Sequence, residues 1–328
     1  MGWPIGRIFA FGFIFSSILA CIGLYVVWSG YSSPGPLKTK ARVIIPKGAT
    51  IREIGVLLAS AGVIKNTFIF TLGVKVTRIG RHMRAGEFEF LPGISMQSAG
   101  KHLADGKMVM RRLTVPEGLV TAEVSKLVVS TAGLVGAAPT NLAEGIYLPE
   151  TYFFSYGDTR LSVLKRMRRA MREALSEVWS RKSVNINLTT PKEALILASI
   201  IEKETGVVGE RSLVSSVFHN RLRLGLRLQS DPSVSYAITR GKTQLKRPLT
   251  RNDLAVNSAY NTYRVKGLPP GPISNPGKAA LRAAVNPIKS EYLYFVANGR
   301  GGHFFSKTLT QHNRNVAKFR ALKLKGLR

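Results

Sequence analysis

Two glutamates, Glu202 and Glu204, close an apolar run from Ala194 to Ile201 in the stretch TPKEALILASIIEKETG. A carboxyl held against apolar atoms loses the water that would solvate its charge, so it keeps its proton to higher pH and suits general-acid work. The two cannot form a facing pair, because about 200° of rotation separates residues two apart on a helix. Glu204 follows Leu197, Ile200 and Ile201 at i+7, i+4 and i+3, which places it where the apolar face ends. For either carboxyl the residues leave two readings open: an acid catalyst, or one half of an ion pair with Lys203, Arg211 or Arg221.

The elements around these carboxyls follow from the same stretch. Thr190-Pro191-Lys192-Glu193 is a helix start, with a hydroxyl cap, proline at the first helical position and a glutamate at the capping-box position. Ala194 to Ile201 is apolar on every side, the mark of a buried helix, and Thr205-Gly206 can end it. A second helix is expected over 210–224, with Val214, Val217, Phe218, Arg221 and Leu222 at helical spacing and Gly225 closing it. Arg227 to Ser233 then forms a polar turn into a short helix containing Tyr236. Ala259 to Tyr263 and Gly267 to Ile273 read as loops. Aromatic faces beside Asn and Gln amides suit sugar rings, which offer C–H faces and hydroxyl edges. Tyr292–Ala297 and Gly302–Phe305, joined through Asn298-Gly299, read as a β-hairpin. Upstream, Leu164, Met167, Met171, Leu175 and Val178 form the apolar face of a helix over 161–179 whose other side is basic.

Ile8 to Trp28 carries no charge and, as a helix, spans about 31 Å, enough to cross a bilayer core. A cleaved signal peptide and a lipoprotein signal at Leu19-Ala20-Cys21 fit less well, since apolar residues continue past both sites. The expected arrangement is a retained single-pass anchor over 1–32 and a linker over 33–40. The nearby charges, Arg7 before the segment and Lys38, Lys40 and Arg42 after it, do not decide orientation when a long domain follows. An internal repeat comes next. Ile45-Pro46-Lys47-Gly48 with Glu53-Ile54 and Leu57 returns as Val115-Pro116-Glu117-Gly118 with Glu123-Val124 and Leu127. Each copy reads as strand, turn and amphipathic helix. Between them Glu87–Phe90 alternates like a strand, and a helix is expected from Met96 to Ala104. This region, 41–140, is either a structural spacer or a polysaccharide-binding module like LysM, and the repeat does not separate the two.

The formal charge is +30, and it is concentrated: residues 151–328 hold 32 Lys/Arg against 10 Asp/Glu, while 33–150 hold 15 against 8. Such a chain favours anionic surroundings. It has no helix-turn-helix signature, zinc spacing or aromatic ribonucleoprotein motif, so a solvated surface near an anionic polymer or lipid is preferred to nucleic-acid binding. Cys21 is the single cysteine, which excludes an intrachain disulfide and a cysteine metal site.

Several stretches together resemble the YceG-like family of membrane-anchored endolytic murein transglycosylases. They are Ala198–Thr205, Val217–Leu222, Arg227–Pro232, Ala259–Tyr263, Gly267–Ile273, Tyr292–Ala297 and Gly301-Gly302-His303. The resemblance implies an α+β protein: an N-terminal transmembrane helix, a small LysM-like α+β domain and a mainly α-helical catalytic domain over 141–328 that ends in a β-hairpin. It implies Glu204 as the catalytic acid, acting on the MurNAc-GlcNAc β-1,4 bond of peptidoglycan to leave 1,6-anhydro ends, with no metal and no cofactor. Gln229, Tyr236, Asn261 and Tyr263 are the candidate glycan contacts, with packing and turn roles open for each. The implied setting is the inner membrane, with the catalytic domain on the periplasmic side and peptidoglycan synthases as candidate partners. The alternatives are a muramidase that uses water and a non-catalytic peptidoglycan-binding scaffold.

Overall fold

The computed structural model describes residues 5–184 and 186–324. The chain divides into two compact units, one of residues 1–111 and 153–158 and one of 112–152 and 159–328. The second copy of the sequence repeat therefore belongs to the second unit.

The first unit begins with α1 (Ile5–Ser32). Its stretch Phe13–Ser32 is, among the described residues, the one helix long and apolar enough to cross a membrane. That stretch is not covered by protein, unlike the core helix of a soluble domain. The last turn of α1 is different: Tyr31 is buried, its ring lying on Gly73 where a Cβ would overlap it. The segment that follows is tied down by Gly35 N–H donating to Gly93 O at 3.2 Å and Gly93 N–H donating to Leu37 O at 2.9 Å. β1 (Ala41–Ile45) pairs antiparallel with β2 (Gly86–Phe90), Val43 opposite Phe88. Alternation puts Phe88 and Phe90 into the core, which α2 (Ile51–Ser60), α3 (Thr67–Val76) and α4 (Met96–Asp105) complete with Ile54, Leu58, Phe70, Val74, Ala99 and Leu103. The capping box at α2 forms as its sequence requires: Thr50 N–H donates to Glu53 at 2.7 Å, and Glu53 N–H to the Thr50 hydroxyl at 3.3 Å.

In the second unit, β3 (Met110–Thr114) and β4 (Thr151–Ser155) contribute their unit-two ends, linked by the Thr114 and Thr151 hydroxyls at 2.9 Å. The repeat helix α5 (Thr121–Ser130) has half a capping box, Val120 N–H donating to Glu123, because valine has no side-chain acceptor. α6 (Arg160–Ser180) buries Leu164, Met167, Met171 and Val178 and leaves its basic face in water. The central element is α7 (Pro191–Glu204), capped by the Thr190 hydroxyl, with every residue from Ala194 to Ile201 buried. Around it pack α6, α8 (Arg211–Arg223), α9 (Asp231–Thr239) and α10 (Lys278–Val285). β5 (Tyr294–Ala297) pairs antiparallel with β6 (His303–Ser306), Ala297 opposite His303, and α11 (Leu309–Leu324) packs on both strands.

Candidate functional site

Glu202 and Glu204 leave α7 in different directions and meet different partners. Glu202 is buried, and its two oxygens are both used. One accepts from Arg211 Nη2 at 3.2 Å, the other from Gly277 N–H at 2.8 Å. Arg211 also reaches Glu117, from the turn of the second repeat copy, at 3.4 Å. Burial and the Glu202 charge push the Glu117 carboxyl up, while Arg211 holds it down. Of the partners open from sequence, Arg211 takes Glu202, so this carboxylate is a structural anchor.

No cation among the described residues lies against Glu204. Among the described residues its only hydrogen bond comes from the Ser230 hydroxyl, at 2.5 Å to Oε1. Burial pushes this carboxyl up to about 7; the Ser230 bond opposes the rise and the nearby Asp231 charge adds to it. Near neutral pH both of its protonation states are populated, the condition for a group that gives a proton and takes one back.

Glu204 opens into a cleft of about 550 Å³, lined also by Arg221, Gln229, Asp231, Tyr263, Tyr294, His303 and His312. Arg221 is buried on α8 and braces the wall: it donates to Leu228 O and to Gln229 Oε1, both at 2.8 Å, and lies 5.1 Å from the Tyr294 ring centre. Gln229 adopts φ 54°, a left-handed conformation costly for a side chain with a Cβ, held by its N–H to Thr262 O at 3.1 Å. Tyr263 donates its hydroxyl to Asp231 at 2.6 Å. Burial pushes the Tyr263 hydroxyl up, and the bond to Asp231 and that carboxylate's charge push it further, so it remains a donor. On the hairpin side, His303 Nδ1 lies 2.7 Å from Glu210, which also accepts from His303 N–H at 2.9 Å. Burial pushes Glu210 up, but the His303 bonds outweigh it and hold the carboxyl low. The two bonds to Glu210 fix the orientation of the His303 ring, which lines the cleft.

The four candidate sugar contacts separate. Gln229 and Tyr263 line the cleft beside Glu204. Asn261 is fully buried: its amide donates to Leu254 O and Val256 O, and its oxygen accepts from Tyr263 N–H at 3.0 Å. It shapes the loop that carries Tyr263. The Tyr236 ring lies tilted against Tyr260, centroids 4.9 Å apart, and lines a neighbouring cavity of about 310 Å³ with Lys203, Asp231 and Gln244. Sequence reasoning missed Ser230, Asp231 and the Glu210–His303 pair. The first two lay within a turn read only as polar, and the pair is brought together across 93 positions.

The model of the YceG-like family matches residues 43–318. The chain belongs to the YceG-like family. Relatives include the endolytic murein transglycosylase of Streptococcus pneumoniae serotype 2 (strain D39), 30% identical over 85% of this chain and 58% of the relative. The Bacillus subtilis (strain 168) protein of the same name is 29% identical over 86% of this chain and 85% of its own length. The chain thus spans little more than half of the pneumococcal family member. A 2.6 Å crystal structure of a Listeria monocytogenes protein described as YceG-like superposes with a TM-score of 0.53 at 32% identity, covering 84% of this chain and 99% of that one.

Proposed function

We propose that this protein is an endolytic lytic transglycosylase that cuts peptidoglycan strands at the MurNAc-GlcNAc β-1,4 bond and so ends their elongation. The observation that carries the reading is Glu204: one desolvated carboxyl, poised near neutrality, with no cation among the described residues to lock it in either state. Protonated, it gives its proton to the glycosidic oxygen as the bond to C1 breaks. The resulting carboxylate then takes the proton from the muramoyl C6 hydroxyl as that oxygen closes on C1. The product is a 1,6-anhydro ring, and Glu204 ends protonated, ready for another cycle. A hydrolase of the two-carboxylate kind needs a second group to activate water or to attack C1. Here Asp231 is hydrogen-bonded by Tyr263, and its negative charge favours the oxocarbenium-like transition state.

In this reading α1 is a single-pass anchor in the inner membrane, the catalytic unit faces the periplasm, and the first unit is a LysM-like tether that keeps the site near newly made strands and the synthases that make them. The strongly basic surface suits a polymer that carries carboxylates on its peptides.

The test is product analysis after digestion of uncrosslinked glycan strands. Wild-type protein is expected to release anhydro-muropeptides, and Glu204→Gln none. Products with reducing ends, heavier by one water, would mean a muramidase. Equal activity of the two proteins would overturn the assignment of Glu204.

A further inference from the structure

The first unit carries an apolar surface that its own core leaves uncovered. On α3, Phe68 is 73%, Leu72 37% and Val76 67% exposed, at spacing i, i+4, i+8. With Phe68 as zero and 100° per residue, Leu72 falls at about 40° and Val76 at about 80°. Ile69 and Gly73 follow at about 100° and 140°, and these two touch α1: the Ile69 side chain lies against Gly30, and the Tyr31 ring against Gly73. The buried Phe70 and Val74 lie beyond, at about 200° and 240°. The exposed stripe is therefore continuous with the face that grips α1. The grip is within one turn of Trp28, the end of the uncovered apolar run of α1. Lys75 borders the stripe's other edge, and Lys65 and Arg78 are exposed at the two ends of α3.

A helix with Phe and Leu on one face and basic residues at its margin lies in the boundary between headgroups and acyl chains, about 5–10 Å deep. Its lysine stems can reach outward to anionic headgroups. We infer that the Phe68/Leu72/Val76 face of α3 is seated in the headgroup layer of the bilayer that α1 crosses, so that the first unit is held against the membrane surface instead of swinging freely on its anchor. The inference rests on the reading of α1 as a membrane span. It adds a second point of attachment and gives the α1–α3 contact a purpose.

The full chain reconstituted in vesicles of neutral and anionic phospholipid tests this, using an environment-sensitive fluorophore on cysteine. The native Cys21, within the α1 span and exposed, reports on the anchor. Leu72→Cys and Phe68→Cys, each in a Cys21→Ala background, report on α3. Both α3 sites are exposed, so neither label disturbs the core. Quenching of the α3 probes by shallow lipid nitroxides, roughly twofold stronger than by deep ones, is expected from a headgroup-depth position, with the opposite order at Cys21. Iodide in solution should quench the α3 probes weakly. If Cys21 is quenched by lipid but positions 68 and 72 are quenched only by iodide, the inference fails while the anchor stands. A blue-shifted α3 probe that no lipid nitroxide reaches means that protein covers the face, which also overturns the inference. If Cys21 itself is untouched by lipid nitroxides, the anchor reading fails first.

Discussion

Glu202 and Glu204 are the same residue type, two positions apart at the end of one helix, and the fold gives them opposite surroundings. Glu202 is met by a guanidinium, which it shares with Glu117, and by a backbone N–H. Glu204 is met by a single hydroxyl and a neighbouring negative charge, so its charge is resisted. Burial without a cation is what makes a carboxyl hold its proton to higher pH. The residue that separates them, Lys203, turns to a third direction and donates to Gly118 O at 3.3 Å.

Substitutions that exchange or erase this contrast give effects of decreasing size. Glu204→Gln is expected to lower strand cleavage about 10³-fold, since one group performs both proton transfers, while thermal unfolding stays cooperative. Glu202→Gln should do the reverse. Removing one partner of a buried pair costs about 3 kcal/mol, seen as a lower denaturation midpoint, whereas the rate measured well below that midpoint should stay near wild type. A large rate loss with unchanged stability in Glu202→Gln would erase the contrast.

The pH dependence sharpens it. The Glu204 carboxyl goes from an ordinary 4.5 to about 7 on folding, so the folded protein holds a proton that the unfolded chain releases. Stability of the second unit should therefore fall as pH rises from 4.5 to 7, and Glu204→Gln should flatten that slope. Activity should fall above pH 7 as the acid form is lost. Ser230→Ala removes the bond that favours the carboxylate, so this alkaline limb should move upward by about one pH unit. The smallest effect expected is that of His303→Ala, about tenfold in kcat/KM if Nε2 holds a sugar hydroxyl. Glu210→Gln, which weakens the bond that orients the His303 ring, should reproduce part of the loss.

The two repeat copies show the same principle at the level of turns. Gly48 and Gly118 both hold positive φ, 81° and 75°, as the shared Pro-x-Gly pattern requires. A Cβ at Gly48 would meet nothing, while at Gly118 it would touch Lys203 and Glu202. The copies are equivalent in sequence, but only the second is built into the support of α7. Its Glu117 stands where the first copy has Lys47, and that exchange lets it share Arg211 with Glu202.

Much of the local structure was legible because it depends on near neighbours. Thr190-Pro191 and Thr205 mark the ends of α7 through capping, and the apolar stripe of α6 is read from spacing alone. Tyr263 and Gln229 line the cleft, but Asn261 has the same amide chemistry as Gln229 and spends it on loop carbonyls, which composition cannot distinguish.

The sequence by itself determined that the run Ile8–Trp28 is an uncharged helical stretch, that α7 is buried, and that its last two glutamates point apart, since these follow from hydropathy and a fixed helical rotation. Only the tertiary structure decided which carboxyl would be neutralised. Arg211, Gly277 and Ser230 reach α7 from distant parts of the chain, and the field at a carboxyl depends on distance in space, not along the sequence.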